Sequence, residues 1–176
     1  MTAQELKDFE IEVAQAFEAK KIRAPIHLSG GNEEELIHIF GKIKRTDWVF
    51  GTWRSHFHAL LHGVPRELVM SDILSGKSMM LHYPEHRFFS SAIVGGILPI
   101  ACGVAAAGEK VWCFIGDMTA SIGAFNDAEK YASGHDLPIT FIVEDNGLAT
   151  NTPTAKTWGI LHATSSRNTI RYSYKR

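Results

Sequence analysis

"KVWCFIGDMTASIGAFNDAEKYASGHDLPITFIVEDN", residues 110–146, decides the architecture. Its two ends, "KVWCFIGD" and "PITFIVEDN", are continuous apolar runs of the kind that a strand shows when both of its faces are covered. Between them "GAFNDAEKYASGHD" has the length and composition of a helix. Strand, helix and strand at this spacing predict a βαβ unit, and with it an α/β fold: a parallel sheet flanked by helices. The first strand runs into Gly116 and Asp117, and the second into Glu144, Asp145, Asn146 and Gly147.

An acid at a strand-to-helix junction needs a reason. In open α/β sheets ligands bind beyond the carboxyl ends of the strands, and a parallel unit puts both ends on one edge. Asp117 and Asn146 can therefore converge although a whole helix separates them. A carboxylate and an amide oxygen suit Mg²⁺, which takes few protein ligands and completes its shell with phosphate oxygens and water. Small residues after Asp117 (Thr119, Ala120, Ser121, Gly123) leave room for a diphosphate near the backbone. The spacing alone equally allows Asp117 as a helix cap and Asn146-Gly147 as a tight turn.

Outward from this unit the chain reads as helices. Leu6, Phe9, Val13 and Phe17 form an apolar stripe, "EEELIHIFGKI" begins with acids, and "RSHFHALLHGV" has helical character. "PRELVMSDILSG" has Pro65 at a first helical position and Gly76 at its stop. Residues 92–107 are predicted as one tightly packed helix. "DWVFGTW" is a short aromatic stretch, and "SSRNTIRYSYKR" is either a last strand or an ordered arm. One domain over residues 1–176 is expected, with a helical part at 1–80 and a βαβ core at 88–155.

Composition sets the outer bounds. The 176 residues are 45% hydrophobic and 21% charged, with a net charge of −1, so no global field recruits nucleic acid or an anionic membrane. The apolar run at residues 92–108 is too short and too broken by glycine and Pro99 to span a bilayer. Cys102 and Cys113 lie in apolar stretches and suit buried, reduced thiols. With no signal-peptide pattern at the start, a cytoplasmic protein is expected.

Five segments in register, over residues 25–155, resemble a known family. "GD" with "EDNG" after the helix is similar to the thiamine diphosphate signature GDG…ENN. "IHLSGGNEE" is similar to that family's H-L-x-x-G-Q-E, and "WRSHFHALLHGVPRELVMSDILSGK", "SMMLHYPEHRFFSSAIVGGILPIACGVAAA" and "HDLPITFIVEDNGLATNTPT" resemble three further stretches. The family is the alpha subunit of the thiamine-dependent component of 2-oxo acid dehydrogenases, of pyruvate, branched-chain and acetoin type.

The resemblance implies the thiamin-diphosphate-binding fold, with thiamine diphosphate and Mg²⁺ as cofactors. It implies Asp117, Asn146 and the Leu148 carbonyl as metal ligands, and Arg54 on the diphosphate. Gly116, Met118 and Thr119 would line the diphosphate, Trp53 would supply an aromatic wall, and Ala92 and Val94 would lie near the aminopyrimidine. His27 and His56 match histidines that face the substrate channel. A beta-like partner would carry the pyrimidine-binding domain and the activating glutamate, in an α2β2 hetero-oligomer, with self-association when the chain is isolated. The substrate implied is a 2-oxo acid, with ketose two-carbon transfer of transketolase type as an alternative.

Departures are specific. Met118 replaces the last glycine of GDG, Asp145 replaces the first asparagine of ENN, and Met80 stands where a histidine is usual. Cofactor binding is still expected with these departures, while the standard substrate is put in doubt; the alternative is a degenerate, non-catalytic paralogue with an assembly or regulatory role, Met118 blocking the diphosphate.

Overall fold

Strand β4 (Val111–Gly116) sends Val111, Cys113 and Ile115 into one apolar cluster and Trp112 and Phe114 into another. That is the period-two alternation of a strand covered on both faces. The computed structural model, which describes residues 1–159 and 166–175, has a helical layer on each side of it. On one side α1 (Ala3–Glu18), α2 (Glu33–Phe40), α3 (His56–Leu61) and α4 (Arg66–Leu74) pack over Phe114. On the other, α5 (Ile97–Ala106) and α6 (Gly123–Gly134) pack over Cys113 and Phe141.

The remaining strands are β1 (Trp48–Gly51), β2 (His82–Tyr83), β3 (Phe88–Ser90), β5 (Ile139–Asp145) and β8 (Thr169–Ser173). A small hairpin pairs β6 (Leu148–Ala149) with β7 (Thr152–Pro153), and α7 (Thr154–Trp158) follows it. The main sheet runs β2-β3-β1-β4-β5-β8, parallel throughout except for β2. From β1 the chain crosses to β3 on one side, and then to β4 on the other. Strand order therefore reverses between β1 and β4, and a crevice opens there at the carboxyl ends.

Several local expectations shift, each for a physical reason. The helix expected over 92–107 starts only at Ile97, because Gly95 has φ +75° and sits where an added Cβ would lie 2.7 Å from Ile122 Cδ1. Residues before it turn instead. Pro65 caps α4 from outside, with Arg66 the first helical residue, while Gly76 (φ +88°) follows its end. Thr2 and Glu5 form a capping box on α1, whose Leu6, Phe9 and Val13 are buried, whereas Phe17, in the last turn, is 43% exposed. The stretch at 1–80 is not wholly helical: "WVFG" within it is β1, next to the sheet's centre. Among the described residues no helix is long and apolar enough to cross a membrane.

Candidate functional site

The parallel register pairs Gly116 with Glu144, so the residues that follow β4 and β5 emerge side by side. A cavity of about 190 Å³ opens there. Thr52, Trp53 and Arg54 reach it from the end of β1, Val94 from beyond β3, and Gly116, Asp117, Met118 and Thr119 from β4. Glu144, Asn146 and Leu148 close it from the β5 side, with Ala149, Thr150 and Tyr174. Its volume falls below the roughly 300–1,000 Å³ that enclose a drug-sized ligand. It suits one end of a cofactor, and not the whole.

Asp117 is its most unusual group. Only 4% of the residue is exposed, and its Oδ2 has no hydrogen-bond partner among the described residues. Burial raises its carboxyl above the ordinary range, and a hydrogen bond from the Thr154 side chain partly offsets this. A buried carboxylate oxygen left without a donor is costly, and a cation would satisfy it. Asn146 lines the same cavity. Its Oδ1 accepts the Leu148 N–H at 3.0 Å, which leaves a second lone pair, while its Nδ2 donates to the Tyr174 hydroxyl at 3.2 Å.

No three His, Cys, Asp or Glu side chains among the described residues group to hold a metal unaided. One carboxylate and an amide oxygen are the short donor set that a hard cation tolerates when phosphate supplies further oxygens. Gly116 leaves the approach clear, since a Cβ added there would meet no protein atom within 4 Å. Arg54 stands on the same cavity, its backbone carbonyl accepting from Ser29 Oγ at 3.3 Å. Met118 does reach the cavity, and its Sδ accepts the Trp158 indole N–H at 3.0 Å.

The neighbouring carboxylate, Asp145, is not left bare. Its Oδ2 lies 2.8 Å from Arg171 Nη2, and its Oδ1 accepts the Gly147 N–H at 3.0 Å. Glu144 is buried in a knot of its own. Its Oε1 accepts from Tyr172 at 2.7 Å and from Asn32 at 3.0 Å, with His58 Nε2 at 3.2 Å.

The sequence-predicted residues divide. Trp53, Arg54, Val94, Gly116, Asp117, Met118, Thr119, Asn146 and Leu148 all line the cavity. Ala92 does not; it is half-buried in the turn leading to Gly95. His27 lines an adjacent hollow that shares Arg54 and Thr150 with the cavity, and its ring lies 6.0 Å from that of Trp53. His56 departs from the channel-facing expectation. It is fully buried, with Nδ1 3.1 Å from Glu10 and Nε2 2.9 Å from Ser78 Oγ, so it ties α1 to α3. Sequence reasoning missed Glu144, Tyr174, Thr52, Ala149 and Thr150 as lining residues. The hydroxyl of Tyr174 lies in a tail whose pairing with β5 no local pattern announces.

The sequence profile of the family described as "Dehydrogenase E1 component" matches residues 1–165. A pyruvate dehydrogenase E1 component subunit alpha of Porphyra purpurea is 29% identical over 165 residues, covering 80% of this chain and 47% of its own length. The alpha subunit of acetoin:2,6-dichlorophenolindophenol oxidoreductase of Bacillus subtilis is 26% identical over 165 residues, 85% of this chain and 50% of its own. The chain thus spans about half the length of these relatives. A solved structure from Mycobacterium smegmatis is a distant likeness, at 21% identity and TM-score 0.44 over 75% of this chain and 25% of that one. With a match that takes in every lining residue of the cavity except Tyr174, the chain belongs to the dehydrogenase E1 component family.

Proposed function

We propose that this chain is an alpha-type subunit of a thiamine diphosphate-dependent 2-oxo acid dehydrogenase, and that its cavity holds the diphosphate end of the cofactor through Mg²⁺. One observation carries the reading: Asp117, whose buried Oδ2 has no partner among the described residues, lines the same small cavity as Asn146 and Arg54. Asp117 Oδ2, Asn146 Oδ1 and the Leu148 carbonyl would hold the metal. Arg54 would clamp the phosphate oxygens with its planar fork. Thr119 and Gly116 would line the diphosphate, and Trp53 and Val94 would bound the route toward the ring end. When bound, the cofactor supplies an electron sink for cleavage next to a carbonyl.

The protein's own contribution is to orient and to neutralise. A beta-like subunit would complete the site, since a cavity of about 190 Å³ takes only part of such a cofactor. A cytoplasmic location belongs to the same proposal. Calorimetric titration with thiamine diphosphate, with and without Mg²⁺, tests it. Binding that requires the metal and is lost in Asp117→Ala supports the reading; metal-independent binding that survives this change refutes it.

One observation favours a second reading, that of a non-catalytic paralogue. Met118 lines the cavity with its sulfur held by Trp158. Under that reading Met118→Gly would create binding that the native chain lacks.

A further inference from the structure

Three polar residues stand in succession at the end of β5, and each has its partner in β8 or in the residue just after it. Tyr172 donates to Glu144 Oε1 at 2.7 Å. Arg171 places Nε 2.9 Å and Nη2 2.8 Å from Asp145 Oδ2. Asn146 Nδ2 donates to the Tyr174 hydroxyl at 3.2 Å. The parallel register, Glu144 beside Tyr172 and Asp145 beside Ser173, brings them together, and the Tyr174 N–H bonds to the Asp145 carbonyl at 3.0 Å to extend the ladder. Successive strand residues point to opposite faces, so the three partners must come from both faces of β8. They do: Tyr172 and Tyr174 fall on one parity and Arg171 on the other. The family match ends at residue 165, so none of these partners lies in the matched stretch.

Asn146 explains why the pairing matters. A backbone N–H can only donate, so the Leu148 N–H fixes Oδ1 on its own side, and Tyr174 holds Nδ2 on the other. An amide free to turn over would offer hydrogens to a cation. Asp145, left alone beside the cavity, would repel an anion.

We propose that β8 and the residue after it form the positioning element of this site, with Tyr174 holding the Asn146 amide oxygen toward the metal and Arg171 cancelling the Asp145 charge beside the diphosphate. The ligands rest on the function proposed above; the geometry does not.

Tyr174→Phe removes one hydroxyl and keeps the ring. In ¹⁵N-edited spectra of the free protein the Asn146 side-chain amide pair should move, while the backbone amides of β4 and β5 hold still. The Mg²⁺ midpoint at fixed thiamine diphosphate should rise roughly 3- to 10-fold, and the thiamine diphosphate midpoint at saturating Mg²⁺ less than twofold. Arg171→Gln should do the reverse, raising the thiamine diphosphate midpoint, and adding Asp145→Asn should restore it. An unmoved Asn146 signal, equal shifts in both midpoints, or no restoration by Asp145→Asn would overturn the inference. If the native chain binds no thiamine diphosphate with Mg²⁺, the proposed function falls. The Asn146 signal alone then decides the role of β8: movement upholds it and none removes it.

Discussion

Asp117, 4% exposed and with one oxygen unpartnered, is not a helix cap: Met118 stands at the cap of the short turn Thr119–Ser121 and Ile122 at that of α6. Asp117 was legible in the sequence because Gly-Asp ends an unbroken apolar run; its orphaned oxygen was not, since burial and hydrogen bonding, here with Thr154, are set by residues distant in sequence. Arg54 can be tested at the same scale. Arg54→Lys keeps the charge and loses the fork, so thiamine diphosphate affinity should fall by about 1–2 kcal/mol in calorimetry. Unchanged affinity would remove Arg54 from the clamp. His56 behaves otherwise. His56→Ala leaves the buried Glu10 carboxylate with the Ser29 N–H but without its ring partner, and should cost about 2–4 kcal/mol in denaturant unfolding. It should leave the affinity of the folded protein within about twofold.

His62 gives a pH prediction. Burial chiefly, with help from the Arg45 charge, lowers it from 6.5 to about 4, while its ring N–H donates to the Asp47 carbonyl at 3.1 Å. A depressed histidine favours the folded state only while it is neutral. That contribution is complete above about 6.5 and is lost as pH falls toward 4. The free energy of unfolding should therefore decline over this window by up to roughly 3 kcal/mol, and His62→Gln should flatten that part of the curve.

At the scale of elements, the βαβ unit was legible because its strands are long, apolar and bounded by glycine and acids. β1, β2 and β3 were not. Four, two and three residues carry too little pattern, and their pairing is decided by contacts far away in sequence. The helix expected over 92–107 shows the converse. Its composition suits a helix, but the left-handed Gly95 breaks it and sends Val94 to the cavity. The packing layer makes its own prediction. Phe114, fully buried, stacks on Phe40 at 5.3 Å and meets His58 edge-on at 4.6 Å. Phe114→Ala should cost about 3–5 kcal/mol of stability, and a loss below 1 kcal/mol would mean that this layer is not packed as described.

Across the whole molecule, the strand-end edge and the first turns beyond it carry apolar side chains open to solvent. Ile93 is 73% exposed and Val94 51%, on the turn whose Val94 lines the cavity, and Ile100, on the α5 helix that follows, is 47% exposed. With a cavity too small for a complete cofactor, these features fit a surface made to be covered. The isolated chain is expected to give no 2-oxo acid turnover with thiamine diphosphate and Mg²⁺, and to gain it when a beta-like subunit is added. Turnover by the chain alone would end the two-subunit reading. The expectation of a partner came only through family resemblance, because no local sequence pattern states what would complete a cavity of this size.

A divalent cation held with a diphosphate at the carboxyl ends of β4 and β5, as proposed, can be located in crystals grown with Mn²⁺ and thiamine diphosphate, through anomalous scattering from the metal. One strong peak is expected between the Asp117 carboxylate and Asn146 Oδ1, in contact with diphosphate oxygens and within reach of the Leu148 carbonyl. A diphosphate bound elsewhere, or a cavity that stays free of metal while the cofactor is bound, would contradict it.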